Sequence, residues 1–184
     1  MQNVDQLITL IRDKSNKEAL CMLEGAPELA KAHSQKGGQL HGASPLHWAA
    51  HRNAAEVCER LIQLGADAND SASDWWLTPL SWGADAASVD AVELLLKHGA
   101  DVNQDAIVGT SALHAVAMGG ATQGKERAEA YAQTAEILIA HGADVNKPTN
   151  RKRTPLDEAI ENENDRVAAV LRKHGGQVSE VSGS

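Results

Sequence analysis

Imidazole, hydroxyl and thiol groups are where chemistry would reside in this chain, and its eight histidines are the most conspicuous of them. His47 and His114 each close a recurring four-residue phrase, and His98, His141 and His174 each precede a glycine at what reads as a helix end. Among the remaining three, His33, His41 and His51, no pair has the short helical spacing with which two imidazoles ligate zinc. No serine sits in a nucleophile-elbow sequence, and no glycine-rich loop has the spacing that cradles phosphate. The carboxylates fall at repeating or solvent-facing positions. The sequence therefore predicts no catalytic residues, no cofactor and no metal; an enzyme or metal-dependent module with an unrecognised site is the alternative. A net charge of −8 and a pI near 5.4 repel phosphate backbones and anionic headgroups, which argues against nucleic acid and membrane surfaces as partners.

The elements that must position these residues are written in two alternating phrases. The first is Ser44-Pro45-Leu46-His47, then Thr78-Pro79-Leu80-Ser81, Ser111-Ala112-Leu113-His114 and Thr154-Pro155-Leu156-Asp157, recurring after 34, 33 and 43 residues. Its hydroxyl residue suits a helix N-cap, and proline in the first turn gives up only an N–H that has no helical partner there. The second phrase surrounds Gly65, Gly99, Gly142 and Gly175, where a helix ends and the backbone turns left-handed. Helix pairs are expected over 4–13 with 16–24, and over 45–52 with 55–63. Cys21 and Cys58 fall on second helices where apolar residues face a neighbour, so they read as buried free thiols rather than a disulfide. Residues 1–20 hold neither a signal-peptide core nor a spanning segment, and a cytoplasmic location is expected.

Two motifs alternating over four units near a period of about 33 residues resemble the ankyrin repeat family over roughly residues 4–176. The resemblance implies an all-α fold, an ankyrin-repeat solenoid of about five stacked helix–turn–helix units. β-turn or hairpin loops would join them, with degenerate caps at both ends. A single domain over 1–176 is expected, with repeats at about 4–38, 39–70, 71–103, 104–146 and 147–176, and a disordered tail at 177–184. The fourth repeat carries ten additional residues within Met118 to Arg127. Three glycines there predict a flexible loop over 118–124, with helix resuming from Ala128 to Ala140.

In that family His47 and His114 would tie adjacent turns, and a concave surface is built from turn tips and the ends of first helices. Carried over by position, the resemblance places His51, Arg52, Trp75, Leu77, Asp85, Val108, Met118, Arg151 and Arg153 on it. His41 and Thr110 fall there too. With no phenylalanine and one tyrosine, the four tryptophans supply nearly all aromatic surface. Trp48 and Trp82 read as core residues facing into the stack. Trp75, Trp76 and Leu77 replace a polar turn tip and its glycine, and read as the anchor for a partner. The implied function is a non-enzymatic protein–protein interaction module, a monomer acting as an adaptor or an inhibitor or immunity-type binder. A purely structural or self-assembling solenoid is the further alternative.

Overall fold

The computed structural model describes residues 3–34, 42–71, 77–106, 108–119 and 125–179, the side chains of residues 125 and 126 excepted. Among the described residues, ten α-helices follow one another as five pairs: α1 (Val4–Arg12) with α2 (Asn16–Gly25), α3 (Pro45–His51) with α4 (Ala55–Gln63), and α5 (Pro79–Asp85) with α6 (Val89–Lys97). α7 (Ala112–Met118) with α8 (Lys125–Ala140), and α9 (Pro155–Glu161) with α10 (Asp165–Lys173), complete the series. There is no strand among the described residues. A short 3-10 helix over Pro27–Lys31, which the sequence reading did not foresee, buries Leu29 and Ala30 against the first two pairs.

The first helices of successive pairs pack on one another in the order α1, α3, α5, α7, α9, and the second helices form a parallel row. Each pair is too short to bury its own apolar face, so neighbours supply the core. Leu46, Leu80, Leu113 and Leu156, one from each phrase, are buried in register; Leu61, Leu95, Leu138 and Leu171 form the matching row on the second helices. Ser44, Thr78, Ser111 and Thr154 stand at the N-cap positions the phrase predicts. Gly65, Gly99, Gly142 and Gly175 have φ of +90°, +84°, +89° and +82°, as a left-handed helix end requires.

Asparagines knit the row of helix ends together. The Asn69 side chain donates to the Gly99 carbonyl at 3.1 Å and accepts from the Asp101 N–H at 2.7 Å. Asn103 does the same with Gly142 and Asp144, and Asn146 with Gly175 and Gln177. Satisfying one acceptor and one donor of the next repeat sets the spacing between units. The last repeat is also tied to the chain beyond it, because Ser179 N–H donates to the Asp157 carboxylate at 3.0 Å. Burial pushes the Asp157 carboxyl up, but hydrogen bonds from Thr154 and Ser179 outweigh it and hold the group below its ordinary pKa.

Two expectations are corrected here. Cys21 is exposed, because it lies on the outer side of α2, whereas Cys58 is buried and burial pushes its thiol up to about 12. Helix α8 begins at Lys125 rather than Ala128, so only 120–124 of the expected loop lie outside the described residues. Gly119 is fixed in place: its carbonyl accepts from the Asn164 side chain, and a Cβ there would come within 2.3 Å of the Tyr131 ring.

Candidate functional site

The first helices expose one side to a groove bounded by the turns that precede them. Helix α3 turns Leu46, Ala49 and Ala50 into the core, which leaves Trp48 and, one turn later, His51 on the groove side. Helix α5 repeats the arrangement with Trp82 and Asp85. The two indoles meet edge to face at a centroid separation of 5.2 Å and an interplanar angle of 82°. Trp82 also packs against the His47 and His51 rings, at 5.3 and 6.2 Å. Both tryptophans are half-buried and line the groove; Trp48 also packs against the hydrophobic core, so the expected core role is only part of its placement. The signal was available in the sequence: Trp48 to His51 and Trp82 to Asp85 are each one helical turn, so the indoles share the face assigned to those groove residues.

Histidine bridges join the turns on either side. Ser44 N–H donates to His47 Nδ1 at 3.2 Å, which leaves the proton on Nε2 to donate to the Leu77 carbonyl of the next turn at 2.9 Å. His114 accepts from Ser111 N–H at 3.1 Å and donates to the Arg153 carbonyl at 3.4 Å. Both imidazoles are fully buried, and that burial holds them below their ordinary pKa. The third repeat breaks the series. Its phrase ends in Ser81, whose hydroxyl is spent on Thr78 Oγ1 at 3.0 Å, and so no side chain among the described residues spans to Thr110, the counterpart of Leu77 and Arg153.

A cavity of about 570 Å³ opens at that break. Trp48, His51, Leu77, Ser81, Trp82 and Asp85 form one side of it, and Ala106, Val108, Thr110, Ser111, Ala115 and Met118 the other. Val108 and Met118 are 46% and 49% exposed, unusual for large apolar side chains. The backbone at Asp85 is braced: the buried Tyr131 of α8, which does not itself line the cavity, reaches across 46 residues of sequence to donate to the Asp85 carbonyl at 2.6 Å. Burial pushes the Tyr131 phenol up, so the hydroxyl keeps its proton. His51 is held below its ordinary pKa by burial first, then by Arg52 and Arg127, with Asp85 opposing.

Of the residues expected on this surface, His51, Leu77, Asp85, Val108 and Met118 come together around the cavity, with Thr110 beside them. Trp75, Trp76 and His41 lie outside the described residues. Arg52 is half-buried beside the cavity without lining it, its Nε lacking a hydrogen-bond partner. Arg153 is not a free cation: its guanidinium donates to Glu158 at 2.6 Å and also contacts Glu161, while its carbonyl serves His114. Arg151 and Lys152 project from the preceding turn into solvent. No group of three or more histidine, cysteine, aspartate or glutamate side chains suited to a metal occurs among the described residues. No helix there is long and apolar enough to cross a membrane.

Comparison with known proteins agrees with this architecture. None of the curated proteins matches the chain. A family profile described as ankyrin repeats, three copies, matches residues 16–106, which run from the start of α2 into the turn before α7. Helix pairs α7–α8 and α9–α10 continue the stack with the same caps and left-handed glycines, and the chain belongs to the ankyrin repeat family.

Proposed function

We propose that this chain is a non-enzymatic binding module that grips a partner protein in the groove around Trp48, Leu77, Trp82, Asp85, Val108 and Met118. Ankyrin repeats generally serve as protein–protein interaction modules. The observation that carries the reading here is the cavity between the second and fourth repeats, with half-buried indoles on its wall and two exposed apolar side chains on its rim. Desolvated aromatic pockets with an apolar surround are where interface energy concentrates. Trp75 and Trp76 belong to the proposal as the sequence neighbours of Leu77; His51 and Arg52 flank the wall, and Arg151 and Arg153 mark the far turn. A rigid module of this kind acts as an adaptor or an inhibitor by occupying a partner's surface.

The test compares affinity capture by the wild-type chain with capture by a Val108→Asp plus Met118→Asp variant. Both side chains are exposed, so the variant keeps its melting temperature within a few degrees. Proteins held by the wild type and lost by the variant support the reading. An unchanged set of captured proteins places the binding surface elsewhere.

A further inference from the structure

The cavity in the groove has a specific chemical complement, and the inference rests on the groove reading above. Three features of it accept hydrogen bonds or favour positive charge. The first is the Thr110 carbonyl. Its counterparts at Leu77 and Arg153 each take an imidazole N–H from the preceding repeat, whereas Thr110 receives only the Ala106 N–H of its own turn, at 2.8 Å, among the described residues. The second is the Asp85 carboxylate, exposed at the cavity and without an ion-pair partner among the described residues. The third is the indole wall of Trp48 and Trp82, whose π systems attract cations. Apolar surface from Leu77, Val108 and Met118 surrounds these groups and suits an aliphatic stem. Arg52 and Arg127 lie nearby without lining the cavity, and burial keeps His51 neutral near pH 7.

We propose that the cavity beside Ser81 receives an arginine side chain from the partner polypeptide, in the space that histidine fills in the second and fourth repeats. Guanidinium presents several N–H donors in one plane, enough to serve the Thr110 carbonyl and the Asp85 carboxylate together while lying against an indole. Lysine offers a compact charge without that fork. The net charge of −8 draws a basic segment toward the groove.

The probes are four blocked pentapeptides, Gly-Ala-X-Ala-Gly, with arginine, glutamine, leucine or glutamate at the centre. They are titrated into the full chain and followed through the indole N–H resonances of Trp48 and Trp82. The arginine peptide should bind about tenfold more tightly than the glutamine and leucine peptides and shift both indoles. Asp85→Asn, an exposed isosteric change, should weaken it about tenfold. Ser81→His, which restores the bridge to Thr110, should abolish the shifts while raising the melting temperature. The proposal is overturned if the arginine peptide fails to shift the two indoles at about 5 mM, a level that detects millimolar affinity. It is equally overturned if the leucine or glutamate peptide binds as tightly, or if Asp85→Asn leaves the arginine affinity unchanged. A leucine or glutamate preference leaves the groove reading intact and refutes only the guanidinium. Silence from all four peptides together with unchanged capture by the Val108 and Met118 variant refutes both.

Discussion

Replacing Leu113 with alanine probes the claim that each repeat's core belongs to its neighbours. Leu113 is fully buried on α7, which packs against α5 on one side and α9 on the other, in register with Leu80 and Leu156. The change removes three carbon atoms, and at about 0.8 kcal/mol per buried methylene the transfer loss alone is roughly 2.4 kcal/mol. Helices held on both sides collapse little into the space left behind, so the cavity contribution moves the cost into the upper half of the range of about 2–5 kcal/mol for such truncations. Met118 ends the same helix and is 49% exposed, so Met118→Ala serves as the internal control, with a cost within about 0.5 kcal/mol. Urea denaturation followed by far-ultraviolet circular dichroism measures both. A Leu113→Ala loss below about 1 kcal/mol at unchanged m, or a Met118→Ala loss of the same size as that of Leu113→Ala, refutes the shared-core reasoning. A lowered m instead reports an array that no longer unfolds as one unit.

Burial lowers the pKa of His47 and His114, and in the unfolded chain both titrate near 6.5. Below that pH the unfolded state binds more protons, so stability falls as pH drops from about 6.5 toward the lowered folded values. Urea melts at about pH 7.5 and about pH 5.5 should show the loss, and a flat profile across that window contradicts neutral buried imidazoles. Gly119→Ala forces a methyl into the Tyr131 ring and should cost about 1–3 kcal/mol in the same melts, since overpacking a fixed contact is destabilising; a loss under about 0.5 kcal/mol argues against the close packing of Gly119 on the Tyr131 ring. In the folded chain an alkylating reagent should label Cys21 and spare Cys58, whose thiol is buried and pushed up to about 12. Mass spectrometry reads the outcome, and equal labelling of the two sites contradicts the packing of α4.

The sequence by itself determined the solenoid. A cap, a proline, a leucine and a closing glycine are local signals, each acting within a turn or two of its own backbone, and their period of about 33 residues compels stacking because no single pair buries its apolar face. The N-caps and the left-handed glycines followed from that register; the imidazole bridges and the candidate groove positions came from the family resemblance, carried over residue by residue. What tertiary structure decided depends on groups about thirty or more residues apart, which no local period encodes. Trp48 and Trp82 meet only because α3 and α5 stack at one angle. The Asn69, Asn103 and Asn146 ladder needs the next repeat's backbone as its partner. Arg153 is a local exception: the resemblance places it on the concave surface, and it is Glu158 and Glu161, five and eight residues on, that fold back and occupy its guanidinium. The cavity lies beside Ser81, where the second and fourth repeats carry histidine. It is visible only when the fourth repeat's turn is set opposite, because space stays open only where the surrounding atoms are held apart by other contacts.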